Sequence, residues 1–181
     1  MANQSQEADI DQKIVKQNER TAMAQKVIKQ PDGPGLRIGK RAQLTIIANV
    51  IPGMAPRFRE RLAQFQAEAA YFEEKVGTVQ VFWFNLIDND TRVVFNVIFD
   101  DDFKPYIADL AENTADWFDP LLIGCIEGFK GMHDPSALGF LAEHSLTADF
   151  YYASNPDVSV RDITKMKKLS RAVTEMLDAA S

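Results

Sequence analysis

The chain has 181 residues, 46% of them hydrophobic, and a formal net charge of −6, with a pI near 5.0. That size and apolar content suffice for one domain with a real core, and the acidic balance without any basic stripe argues against a nucleic-acid partner. A single cysteine, Cys125, excludes an intrachain disulfide and fits a cytoplasmic location.

In chain order, the N-terminus MANQSQEADIDQ is polar, with no apolar segment of signal-peptide type. Residues 1–40 read as an N-terminal arm, partly helical, on which Ile10, Ile14, Val15, Met23, Val27 and Ile28 make only a weak stripe. PDGPG at 31–35 breaks any helix and marks the boundary to a domain spanning 41–181. QLTIIANVI, residues 43–51, is a β-rich run ended by Pro52 and Gly53. Phe58, Leu62, Phe65, Ala69, Phe72 and Val76 then recur at helical spacing, which predicts an amphipathic helix over 56–76. TVQVFWFNLID (78–88) and TRVVFNVIFD (91–100) flank Asn89-Asp90 and predict a hairpin with a two-residue turn.

A second helix is expected from about Phe103, carrying Ile107, Leu110 and Ala111, followed by a long connection over 116–145 with short helical pieces. TADFYYA, residues 147–153, reads as the fourth strand. Ser159-Val-Arg-Asp162 is a capping box in its Asp form, opening a last helix with Ile163, Met166, Leu169, Val173 and Met176 on one side. From residue 41 the order is β-α-β-β-α-β. The expected fold is α+β: a ferredoxin-like antiparallel sheet with helices on one face and an extra C-terminal helix. No apolar run approaches the ~18 residues that a membrane helix needs, so no membrane partner is expected.

The hairpin predicts two sheet faces. With a turn at Asn89-Asp90, Trp83 opposes Asn96 and Phe84 opposes Phe95, and side chains alternate between faces. One face, with Phe82, Phe84, Val93, Phe95, Val97 and Phe99, belongs under the helices. The other mixes Val81, Trp83, Val94 and Ile98 with Asn85 and Asn96. Apolar groups on that scale call for a cover, and amides in such company need partners. A second subunit or a ligand meets both needs. Asn49, in the apolar first strand, belongs to the same face. Asn49, Trp83, Asn85 and Asn96 are therefore the candidate ligand-binding residues, with the 116–145 connection near their rim.

The runs VVFNVIFDDDFKPYIADL, CIEGF and GFLAEHSLTADFYYASNPDVSV resemble proteins of the dimeric α+β barrel superfamily, in particular a bacterial group within it. The resemblance covers residues 41 to about 165 and implies a homodimer whose two sheets meet or form a barrel. The superfamily includes antibiotic-biosynthesis monooxygenases, haem-degrading monooxygenases and dye-decolourising peroxidases. The peroxidases' G-x-x-D-G signature is absent. The haem-degrading branch has an Asn on the first strand and a pocket-facing Trp, places that Asn49 and Trp83 fill. It also has a His on the helix after the hairpin, and residues 103–116 contain none. Haem is implied through those two residues alone, and the expectation is a protein without a cofactor.

Asp100, Asp101 and Asp102 lie where the hairpin hands over to a helix, where carboxylates accept free N–H groups and favour the helix dipole. Three consecutive side chains diverge, so capping is expected rather than a metal. His133 and His144 are the only histidines, too few and too isolated for a zinc site. His144, before the fourth strand, is kept as a candidate site residue for acid–base or haem-ligand work, against the plainer reading of a helix-end residue. Cys125, in an apolar segment, reads as a buried inert thiol. No GxGxxG, P-loop, GxSxG or HExxH occurs. No catalytic residue is assigned. The expected function is a small-molecule-binding dimer with a small apolar or aromatic ligand. The alternatives are a cofactor-independent monooxygenase-like enzyme acting on an aromatic or polyketide-type substrate, and a structural or regulatory interaction protein.

Overall fold

The computed structural model describes residues 26–73 and 75–179. The helical reading of the arm falls mostly on residues 1–25, outside the described residues. In chain order the elements are β1 (Val27–Lys29), β2 (Leu36–Ile38), β3 (Arg41–Asn49), α1 (Ala55–Glu73), β4 (Val79–Ile87), β5 (Arg92–Asp100), α2 (Phe103–Leu122), α3 (Ala137–Glu143), β6 (Ser145–Leu146) and α4 (Val160–Ala179). All strand pairings are antiparallel. The sheet runs β1-β2-β3-β5-β4, with β6 also pairing β3. The α+β class and the antiparallel sheet agree with the sequence reading. The sheet, however, has six strands, two of them ahead of β3.

The hairpin register is the expected one: Trp83 opposes Asn96 and Phe84 opposes Phe95. Asn89 and Asp90 both take positive φ, 53° and 67°, as the mirror-image turns of two-residue hairpins demand. Asp88 joins them at 51°, and Arg59 of α1 clamps Asp90 through two hydrogen bonds of 2.6 and 2.7 Å. That fork ties the turn to the helix layer.

The α1 stripe packs as expected, with Phe58, Phe65 and Phe72 buried. α2 is longer than its sequence suggested. Residues 116–122, read as connection, continue the helix. Pro120 lies inside the helix, where its missing N–H removes the ladder bond to Asp116, and Trp117, Phe118 and Leu121 carry the buried stripe onward. Both helices cover the face bearing Val93, Phe95, Val97 and Phe99, and the four strand residues and the helix aromatics form one core.

The fourth strand is a correction. Residues 147–153 form no strand, and only Ser145–Leu146 pair, against Ile46 and Thr45. The cause is competition for the outer edge of β3. The β1–β2 hairpin, from residues read as part of the arm, already occupies Arg41–Gln43 of that edge. The displaced chain is held by other means: Lys40 N–H donates to the Pro156 carbonyl at 2.9 Å, and the Arg41 guanidinium donates to the Val158 carbonyl at 2.9 and 3.2 Å.

Asp100 and Asp102 divide their work in a way the sequence did not suggest. Asp102 holds the N-cap position of α2 but makes no side-chain cap; it ion-pairs with Arg37 of β2. The α2 cap comes from Asp32 in the β1–β2 loop. The neighbouring Gly33 approaches so closely that a Cβ there would overlap the Phe103 ring. Asp100, only 3% exposed, accepts the Val160 N–H at 2.6 Å and the Gln80 amide at 2.8 Å. It caps α4 rather than α2. The expected Ser159–Asp162 box is in place: Asp162 N–H donates to the Ser159 hydroxyl at 3.1 Å, and Ser159 N–H to the Asp162 carboxylate at 3.0 Å. No residue of α4 is buried.

Candidate functional site

The sheet face away from α1 and α2 carries the residues singled out from the sequence. Side chains directly opposite in an antiparallel pair share a face. Trp83 pairs with Asn96 and Asn85 with Val94; Asn96 pairs onward with Thr45, and Arg92 with Asn49. Asn49, Trp83, Asn85 and Asn96 thus lie on one face. Trp83 is 45% and Val81 51% exposed in the protomer.

The amides on this face do not act as one group. The Gln43 amide donates to the Thr45 hydroxyl at 2.8 Å, and that hydroxyl donates to the Asn96 side-chain oxygen at 2.9 Å. Asn96 is therefore engaged in a chain of side chains across the strands. Asn49, at the far end of β3, donates to Glu127 at 3.2 Å, and its backbone carbonyl accepts the Glu127 N–H at 2.9 Å. The 116–145 connection does reach the rim at this point.

His144 is the C-cap of α3. Its Nδ1 lies 2.9 Å from the Phe140 carbonyl, and its ring stacks on Phe140 at 4.1 Å. With Asn49, Glu127 and Glu143 it borders an open hollow of about 470 Å³. The structure brings His144 to Asn49, not to Trp83, Asn85 or Asn96. Among the described residues, no group of three His, Cys, Asp or Glu is arranged to hold a metal ion.

A second region, on the opposite side of β4, was not singled out from the sequence. Between α1, α2 and β4 lies a cavity of about 550 Å³. Its walls include Phe65, Phe72, Phe82, Phe84, Trp117 and Phe118. The aromatic rings are ordered. Trp117 lies nearly parallel between Phe65, at 3.9 Å and 9°, and Phe72, at 4.7 Å and 7°. Its indole N–H donates to the Phe65 carbonyl at 3.1 Å, which fixes the ring. Phe82 meets Phe65 edge-on at 5.9 Å. Such stacked and edge-to-face pairs favour a fixed arrangement.

Among the described lining residues, the side chains that carry a polar group are few: Gln66, Gln80, Trp83, Tyr106 and Trp117. The Gln80 amide N–H is spent on Asp100. Tyr106 is 2% exposed, and its hydroxyl is buried without a hydrogen-bond partner. Burial, with a smaller contribution from the nearby Asp109 carboxylate, pushes that phenol well above its ordinary value, so it remains a donor throughout the physiological range. Among the described residues lining the cavity there is no carboxylate, histidine, cysteine, lysine or arginine.

The cavity escaped the sequence reading for a simple reason. Phe65, Phe72, Phe82 and Phe84 occupy inward positions and read as packed core; an unfilled volume between them leaves no mark on periodicity. The one available signal was the concentration of large rings on facing elements. The cavity and the open face meet at β4, the edge strand, where Val81 and Trp83 also border the cavity.

Set beside known proteins, the chain matches no family model, no curated protein and no solved structure. Among the described residues, no helix is long and apolar enough to cross a membrane.

Proposed function

We propose that this chain is a small-molecule-binding protein that holds a neutral, apolar ligand in the aromatic cavity between α1, α2 and β4. The observation that carries the reading is the cavity itself: about 550 Å³, walled by aromatic rings, with very few polar groups. Ligand sites of small molecules span roughly 300–1,000 Å³ and show this balance of apolar wall and sparse polar contacts. The lack of any carboxylate, histidine, cysteine, lysine or arginine among the described lining residues favours binding over acid–base chemistry.

The same reading takes the protein as a homodimer of the dimeric α+β barrel type with a ferredoxin-like core. Support for the dimer comes from the open face, where Trp83 and Val81 leave apolar area uncovered in the protomer. Support for the core comes from the β3-α1-β4-β5-α2 succession, with β5 seated between β3 and β4.

The cavity reading is tested by fluorescence in a Trp83→Phe protein, whose only tryptophan is Trp117 in the cavity wall. Titration with naphthalene derivatives should quench Trp117 saturably. Ala69→Phe, which fills the cavity from α1, should abolish the quenching while the protein remains folded. Quenching that never saturates, or that survives the filled cavity unchanged, overturns the reading.

A further inference from the structure

α4 runs for 20 residues, and a helix in a folded domain draws most of its stability from an apolar face packed on something else. No residue of α4 is buried, yet an apolar stripe runs along it. Met166, Leu169, Val173 and Met176 stand 3, 4 and 3 residues apart and are 52%, 66%, 46% and 72% exposed. That is the spacing of the seam between two paired helices. Ser170 and Ala172 flank its middle, and side chains that small let a second helix approach closely.

The charges of α4 indicate what lies against that seam. Lys165, Lys167, Lys168 and Arg171 make its middle positive, whereas Glu175 and Asp178 make its end negative, with no basic residue in the last turn. Carboxylates near a helix C-terminus oppose the helix dipole, so this order does not serve the helix itself. It suits an identical helix running the other way. Antiparallel pairing centred on position 171 sets Met166 against Met176 of the second copy and Leu169 against its Val173, and it brings the basic stretch to the acidic one. Parallel pairing sets like charges together, which is costly.

The start of α4 lies on the open-face side of the sheet. Arg41, Gln43 and Thr45 alternate along β3 and oppose Asp100, Ile98 and Asn96, so Arg41 and Asp100 belong to the face that bears Asn96 and Trp83. Those two side chains hold the helix start, through the Val158 carbonyl and the Val160 N–H. Resting on the homodimer reading above, we infer that α4 is a dimerisation arm, whose apolar stripe pairs antiparallel with α4 of a second copy of this chain in an isologous contact. The seam covers residues 166–176 alone, and a self-standing coiled coil sustains about 3–4 heptads. The arm therefore adds to the open-face contact and does not replace it.

The test measures the dissociation constant of the dimer by analytical ultracentrifugation. Leu169→Asp combined with Val173→Asp puts charges into the seam and should weaken the dimer about tenfold or more. The domain should stay folded, since no core contact is lost. Lys165→Glu with Lys168→Glu should weaken the dimer as well, and so should Glu175→Lys with Asp178→Lys. An equimolar mixture of those two charge variants should regain the wild-type affinity, because each then meets the opposite charge along its whole arm. A wild-type dimer whose dissociation constant none of these variants changes overturns the α4 pairing and leaves the open-face dimer standing. Weakening by the two aspartates without rescue in the mixture also overturns the pairing and moves the stripe onto another surface. A wild-type chain that stays monomeric throughout overturns both readings.

Discussion

Asp32 and Phe103 stand 71 residues apart, and the Asp32 carboxylate accepts the Phe103 backbone N–H at 3.1 Å and the Lys104 N–H at 2.9 Å. The first turn of α2 is thus capped by the loop between β1 and β2, not by the aspartate at its own N-cap position. A cap of this kind joins the N-terminal hairpin to the helix layer as well as satisfying orphan donors.

Replacing Asp32 with Ala should therefore lower stability by about 0.5–2 kcal/mol. Asp102→Ala should cost less, about 0–1 kcal/mol, because its partner is the partly exposed Arg37. Urea denaturation of the two variants side by side measures the order. A larger loss for Asp102→Ala would assign the cap to the wrong residue.

The start of α4 should respond to acid. Hydrogen bonds from the Ser159 hydroxyl and N–H, then the Lys40 ammonium, hold the Asp162 carboxyl well below the usual carboxylate range. A depressed folded value means that the stabilisation is fully present above the unfolded value of about 3.9 and fades as pH falls through the folded one. Helicity followed at 222 nm should show wild type ahead of Asp162→Asn at pH 6. The gap should close progressively below about pH 4. A gap independent of pH would remove Asp162 as its source.

Association through the open face predicts a mass near twice the 20.3 kDa of the chain by light scattering at micromolar concentration. Trp83→Asp puts a charge among the exposed apolar groups of that face and should return the mass to that of one chain. A Trp83→Asp protein that remains dimeric would move the interface elsewhere.

Much of this was legible in the sequence where local rules and packing agree. Alternation over 81–87 and 92–98, with Asn89-Asp90 between, left one register that brings Phe82, Phe84, Val93 and Phe95 together under the helices. The Ser159–Asp162 box announced α4 for the same reason: its hydrogen bonds close within four residues. The fourth strand failed because pairing is a contest between segments. TADFYYA has the composition of a strand, but β2 holds the edge it would need. Asp32 failed as a cap for a related reason, since a bond spanning 71 residues has no local pattern. Asn49, Trp83, Asn85 and Asn96 were placed on one face correctly, but His144 was not near enough in register to join Trp83.

α4 meets the rest of the protein chiefly at its first turn, where Asp100 receives the Val160 N–H, and it buries no residue along its length. A helix in that position owes little to the core, and the core owes little to it. Substitutions at Met166, Leu169, Val173 or Met176, all exposed apolar residues, are therefore nearly silent in the folding of the domain. The apolar side of α4 is thus uncoupled from the stability of the domain, and truncation beyond the Ser159–Asp162 box measures that independence.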